Sequence, residues 1–270
     1  MCLALVLFVA AGGAYAGSVD LKGDFVQGGL VRGQTAPDAR ILLGSRKIRV
    51  SPQGIFIVGF TRDAPASETL TAKFADGTET RQVLKIRKRT YDIQRINGLP
   101  PKMVTPPKAV LKRIKRENGL IRGARMVDRP EIYFDSGWIW PAKGRISGVY
   151  GSQRVLNGKP KRPHFGVDIA APVGVKVIAP ADGVVVLAEL NLYYTGGTII
   201  LDHGHGLSSA FLHMSSLSVK KGRKVRQGDL LGAIGKTGRA TGAHLDWRIN
   251  WFDRRLDPAL LAPKRADLTN

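Results

Sequence analysis

The sequence predicts an all-β protein: a small N-terminal β-sandwich, a short linking helix, and a C-terminal, barrel-like antiparallel β domain. Three observations carry this expectation. Apolar residues come in short runs separated by Gly, Pro, Asp and Ser along most of the chain. Glycine, 32 of 270 residues, punctuates those runs most densely beyond Trp138. An apolar stripe at helical spacing stands out in one place, at Val110, Leu111 and Ile114.

The first element, residues 1–16, reads MCLALVLFVAAGGAYA, an apolar run closing on the small-x-small pattern Ala14-Tyr15-Ala16. It is shorter than the ~20 residues a membrane-spanning helix needs and is expected to be a cleaved signal peptide whose positively charged segment, and with it the true start, lies upstream of Met1. Export to the periplasm or cell envelope follows. The chain's one cysteine, Cys2, lies inside this leader, so the mature chain is expected to hold none. That excludes disulfides and thiol catalysis and leaves His, Asp and Glu as the strong metal ligands.

Residues 17–90 are expected to form the sandwich. Ile41-Leu42-Leu43, Ile48-Arg49-Val50, Gly54 to Val58 and Leu70 to Phe74 read as strands, and Ala75-Asp76-Gly77 as a tight turn into a strand from Glu79 to Arg87. The sandwich holds no constellation of chemically active residues, so its role is positioning or binding. Residues 91–137 read as a linker opening with INGLPPKMVTPPK. Thr105 and Pro106 resemble a helix start, the apolar stripe follows, and Gly119 and Gly123 are expected to end or interrupt a brief basic helix. Its expected role is to pack across the domain boundary.

Residues 138–262 are expected to form the barrel-like domain. Strand candidates are Val175 to Ile178, Gly183 to Leu187, Thr198 to Leu201, Ser209 to Leu212 and Leu230 to Ile234. In TGAHLDWRIN, strand alternation sets His244 and Asp246 on one face, with Leu245 and Trp247 on the other.

The formal net charge is +21. Much of it lies between Lys85 and Arg125, where Arg87, Lys88, Arg89, Lys112, Arg113, Lys115 and Arg116 are scarcely opposed by acids. Such a patch attracts polyanions. For an exported protein this argues against nucleic acid and for an anionic envelope polymer or membrane surface, with plain solvation of the patch as the alternative.

All five histidines fall between His164 and His244. Taken singly, each reads as a hydrogen-bonded structural histidine. Together, the segments RPHFGVDIAAPVGVKVIAPADGVV and ILDHGHGLSSAFLHMSSLSVKKGRKVRQGDLLGAIGKTGRATGAHLDW resemble the M23 zinc metallopeptidases of the LytM and lysostaphin type, from about Gly144 to Asn250. The resemblance implies a metalloendopeptidase that hydrolyses peptide bonds in peptidoglycan stem peptides or cross-bridges through a metal-activated water. It implies one Zn2+ ion held by His164 and Asp168, with His213 and His244 catalytic: one to relay the proton of the water, the other to stabilise the oxyanion. The family's remaining ligand, a histidine, falls on Asp246. Asp246 is expected to take its place, since both carboxylate oxygen and imidazole nitrogen bind zinc at about 2.0 to 2.2 Å. Two carboxylates would neutralise the dication, weakening the Lewis acid and opening the site to another divalent metal such as Mn or Fe. The rival expectation is a catalytically degenerate M23-like domain that binds the wall or activates an amidase.

Other polar and aromatic residues take plainer readings. His203 and His205 are expected in a hairpin turn, and Arg154 and Asn157 on the rim of the cleft. Trp138, Trp140, Trp247 and Trp251 are expected in the core rather than as a carbohydrate platform. The sandwich is expected to position the catalytic domain or restrict access to it.

Overall fold

The computed structural model describes residues 17–96, 108–156 and 158–265. The expected leader at 1–16, the expected helix start at Thr105 and Pro106, and Asn157 lie outside these residues.

The N-terminal unit contains β1 (Asp20–Gly23), β2 (Leu30–Gln34), β3 (Arg40–Leu43), β4 (Arg46–Ile48), β5 (Ile55–Gly59), β6 (Ser67–Lys73) and β7 (Glu79–Lys85). They form two antiparallel sheets, ordered β1-β2-β5 and β4-β3-β6-β7. On β3 and β6 the period-2 pattern holds: Ile41, Leu43, Leu70 and Ala72 are buried while Arg40 and Thr69 are exposed. The run Ile55 to Val58 is instead buried at every residue, because β5 is covered on both sides. One cover is the C-terminal domain: a Cβ placed on Gly59 would lie 2.9 Å from Leu256 and 3.4 Å from Trp251. The turn at Asp76 and Gly77 forms as expected, with Gly77 at φ +84° and Asp76 Oδ1 accepting from the Thr78 amide at 2.9 Å. β4 ends at Ile48 and β7 at Lys85, short of the expected Val50 and Arg87.

The stretch read as linker is structured at both of its described ends. Residues Ile93–Ile96 form β8. A 3-10 turn at Lys108–Val110 leads into α1 (Leu111–Arg125), which runs through both Gly119 and Gly123 instead of ending there. Each glycine costs a helix about 1 kcal/mol, and tertiary packing outweighs it. Ile121 and Ala124 dock against Val186, Leu187, Leu192, Ile200, Ala210 and Leu212. Glu117 joins helix to sheet: it receives Arg113 Nε at 2.6 Å and the Tyr193 amide at 2.7 Å.

The C-terminal part adds β9 (Arg145–Gly148), β10 (Gln153–Leu156), β11 (Lys159–Pro160), β12 (Val167–Ala170), β13 (Lys176–Ile178), β14 (Gly183–Leu192), β15 (Gly196–Asp202) and β16 (Leu207–Met214). Then come β17 (Ser216–Leu217), β18 (Lys224–Val225), β19 (Leu230–Ala233), β20 (His244–Trp251) and β21 (Arg254–Leu256). The main sheet runs β18-β14-β15-β16-β20-β12-β9, with β21 paired to β20. One face carries Val167, Ile169, Ile199, Phe211, Leu245, Trp247 and Ile249 into the large core, which is continuous with that of the sandwich. Trp247 and Trp251 are among its largest fully buried side chains, each contributing on the order of 2 to 3 kcal/mol by burial. The opposite face is split. α1 covers its β14 to β16 portion, and its β20 and β12 portion is polar.

The two units are also joined by main chain. β8 pairs in parallel with β10, and β11 completes that three-stranded sheet. Beside it, Arg62 Nε donates to the Gly151 carbonyl at 2.8 Å, and Tyr91 packs so closely on Gly151 that a Cβ there would lie 2.0 Å from its ring.

Candidate metal centre

Strand register builds the polar patch. In the antiparallel β12 and β20 pair, Asp168 stands directly opposite Asp246, and Ala170 opposite His244. Two acids across a non-edge ladder repel unless cations lie between or beside them. His164, four residues before Asp168, is held by two backbone bonds: its amide donates to the Ser152 carbonyl and its carbonyl accepts from the Gly151 amide, both at 2.8 Å.

This brings His164 Nε2 to 3.2 Å from Asp168 Oδ1 as a buried ion pair, and among the described residues neither atom has a hydrogen-bond partner besides the other. Donor atoms of His164, Asp168 and Asp246 lie within 4.8 Å of one another. Two ligands about 2.0 to 2.2 Å from one tetrahedral ion stand about 3.4 Å apart, so the pair is spaced to share a divalent cation. Glycines make room for the acids: a Cβ at Gly148 would fall 2.3 Å from Asp168 Oδ2, and one at Gly166 2.6 Å from Asp246 Oδ1. The residues therefore fit a metal in their nitrogen and oxygen chemistry and in their unfilled valences.

Two further histidines border the cluster. His213 lies on β16 with φ +66°, a left-handed conformation that a non-glycine residue adopts at a cost, and its Nδ1 hydrogen-bonds the Thr237 carbonyl at 2.8 Å. His244 Nδ1 meets the Gly242 carbonyl at 2.9 Å. A carbonyl only accepts, so in both rings Nδ1 carries the proton and the neutral ring keeps Nε2 as its free acceptor. The ring centroids are 4.8 Å apart, and His244 Nε2 is 3.9 Å from Asp168 Oδ1. Burial holds the His213 pKa below the ordinary histidine value, favouring the neutral form. For His164 burial acts the same way, but Asp168 and Asp246 outweigh it and raise its pKa.

The residue missing from the sequence reading is Arg248. It lies two positions beyond Asp246 on the same face of β20, and its Nε and Nη2 grip both oxygens of Asp246, with Nε to Oδ1 at 2.9 Å and Nη2 to Oδ2 at 2.5 Å. Burial would raise the Asp246 pKa, but the charge and fork of Arg248 overcome it and hold the carboxyl far below its usual range. This corrects the expectation that two carboxylates neutralise a dication. With Arg248 counted, the acids and arginine sum to one negative charge, as a single carboxylate would.

The remaining candidates fall as follows. His203 and His205 flank the turn between β15 and β16, away from the cluster. His203 is wholly buried, its Nδ1 on the Asp182 carbonyl and Nε2 on Ser209 Oγ. Arg154 lies on β10. Trp138 and Trp140 pack against the core that buries Trp247 and Trp251.

Comparison with known proteins agrees with this arrangement. The model of peptidase family M23 matches residues 162–258, the segment holding all five residues of the cluster. The chain is 41% identical over 110 residues to the peptidoglycan DD-endopeptidase ShyA of Vibrio cholerae, and 35% identical over 125 residues to the DD-carboxypeptidase/endopeptidase Mpg of Neisseria meningitidis. These segments cover 40% and 46% of this chain but only 25% and 29% of the relatives' lengths. A crystal structure of a Pseudomonas aeruginosa protein assigned to peptidase M23 superposes with a TM-score of 0.67 at 29% identity, over 87% of this chain and 94% of that one. It therefore shares the N-terminal strands as well as the C-terminal sheet. Residues 162–258 of this chain therefore carry the match to peptidase family M23.

Proposed function

We propose that the protein is a metal-dependent endopeptidase of the cell envelope that hydrolyses peptide bonds in peptidoglycan. The observation that carries this reading is the buried pair His164 Nε2 and Asp168 Oδ1, set 3.2 Å apart with no other hydrogen-bond partner among the described residues, beside two histidines whose Nδ1 atoms are held by backbone carbonyls. His164, Asp168 and Asp246 would hold the ion, Zn2+ on this donor chemistry, with Mn or Fe as alternatives that a second oxygen ligand permits. When bound, the ion supplies Lewis-acid polarisation of the scissile carbonyl and acidifies a water.

The protein's own groups do the rest. His213 and His244, with Nδ1–H on a backbone carbonyl, can each take up a proton at Nε2 and, once protonated there, deliver it or donate to the developing oxyanion. Relatives act on peptidoglycan by name, which supports the substrate class. The basic face of α1, with Lys112, Lys115, Arg116 and Arg122 exposed, supports retention on an anionic wall polymer or membrane surface. Among the described residues no helix is long and apolar enough to cross a membrane.

Digestion of purified peptidoglycan, with and without chelator, by wild type and Asp168→Ala tests the reading. Metal-dependent release of peptide-cleaved fragments by wild type alone is expected; no such product from folded, metal-loaded protein would sink it. A second reading, a non-catalytic domain that binds the wall or activates an amidase, is favoured by one observation: both oxygens of Asp246 are engaged by Arg248. The same digestion, with an amidase added, separates the two.

A further inference from the structure

Four arginines converge on the polar face beside the candidate metal ligands, with one carboxylate among them that is already taken. Arg248 and Asn250 follow Asp246 on the same face of β20. Asn250 pairs with Arg255 of β21, which sets Arg255 diagonal to Arg248 at roughly 7 to 8 Å between backbones. Arg255 and Arg162 both lie over Phe165, their guanidinium carbons 5.8 and 5.5 Å from its centroid. Arg125 arrives from the helix: its neighbour Ala124 packs in the cluster of Ala210 and Leu212, and Ala210 is the cross-strand partner of Arg248.

The cluster is unfinished. Among the described residues Arg125 Nε and Asn250 Nδ2 are buried with no hydrogen-bond partner, and Asn250 is only 1% exposed. Burial and mutual repulsion lower the pKa of Arg125, and bring Arg255 down to about 10. Unfilled buried donors and unopposed guanidinium groups are both costly in a folded protein, and one acceptor-rich anion relieves both. The planar fork of arginine matches a carboxylate. Arg162 is exposed, so the cluster opens to solvent there, two residues from His164.

We propose that Arg125, Arg162, Asn250 and Arg255 form a subsite for a free carboxylate of the peptide substrate, adjoining the metal centre. The inference rests on the endopeptidase reading above, because one ligand must reach both the metal ligands and this cluster. Arg248, satisfied by Asp246, adds field but no free fork.

The test uses the full chain loaded with Zn2+ and two matched stem peptides, one with free carboxylates and one with those carboxylates converted to carboxamides. Amidation is expected to raise KM roughly 10- to 100-fold, the worth of charge-assisted hydrogen bonds, with little change in kcat. Arg255→Gln and Arg125→Gln are each expected to raise KM for the carboxylate peptide toward that of the carboxamide, so that discrimination collapses. Equal KM values in wild type, or full discrimination in both variants, would overturn the proposal. So would inorganic phosphate competing while amidation has no effect, which would assign the cluster to a free anion. If no form cleaves either peptide, the endopeptidase reading fails separately. Calorimetric binding then decides: carboxylate-selective binding lost in Arg255→Gln upholds the subsite, and unselective binding rejects it.

Discussion

Arg248 closes on both oxygens of Asp246 from two residues along the same strand, so the second acid of the site brings no net charge to it. The pair is nearly enclosed, with Asp246 4% and Arg248 23% exposed at the side chain. Breaking such a pair strands the other charge. Arg248→Ala is expected to lower unfolding stability by about 3 to 5 kcal/mol in urea titration, and Arg248→Met combined with Asp246→Leu to recover most of it. Arg248→Ala should also tighten Zn2+ binding in calorimetry, since an uncompensated carboxylate then faces the ion.

Metal binding should stabilise the native chain through the His164 and Asp168 pair. With Zn2+ at 100 times its dissociation constant, wild type is expected to gain about 2.7 kcal/mol. His164→Ala and Asp168→Ala are expected to lose that gain in thermal unfolding with and without the ion. A full gain retained by either variant would remove that residue from the ligand set.

His213 and His244 should separate binding from chemistry. His213→Ala and His244→Ala are each expected to cut kcat on peptidoglycan fragments by about 10²- to 10⁴-fold while leaving Zn2+ affinity within a few-fold of wild type. A large loss of metal affinity in either would make that histidine a ligand instead.

Acid sensitivity should arise partly at His203, far from the cluster. Its pKa is lowered by burial to about 4, against about 6.5 unfolded. A base whose folded pKa is depressed binds fewer protons folded than unfolded across that window, so its neutral burial costs nothing above pH 6.5. The penalty then grows as pH falls toward 4, reaching about 3 kcal/mol. Chemical denaturation at stepped pH should show wild type losing stability relative to His203→Gln over this range; parallel curves would exclude the histidine as the cause.

The two glycines of α1 are a reserve of stability. A Cβ on Gly119 or Gly123 would meet nothing within 4 Å. Alanine at either position is therefore expected to stabilise by about 0.5 to 1 kcal/mol, additively, in thermal unfolding.

The legible parts of the fold are those whose own residues carry the pattern. β5, β15 and β16 are buried along their whole length because both their faces are covered, and the short apolar runs at their centres announce them. β1, β8, β10 and β21 do not: they are short strands fixed by the partners they meet, and nothing in DLKG or RRL forces extension. Alternation in HLDW sets His244 and Asp246 on one face, and the same alternation reaches Arg248 and Asn250. What it cannot supply is the pairing that puts Asp168 opposite Asp246, or the helix end that delivers Arg125. Gly119 and Gly123 mislead for a related reason, since local propensity is overruled by an apolar face that sequence alone leaves without a partner.

The contact of Arg62 with Gly151 has a practical meaning for anyone dividing this chain. Gly151 in turn donates to the carbonyl of His164, so a sandwich residue buttresses the turn from which the first candidate ligand projects. A fragment beginning at Trp138 would retain every donor atom of the centre and forfeit the brace behind one of them. Composition changes near residue 138, but the mechanical unit that sets the ion's surroundings begins at least as early as Arg62.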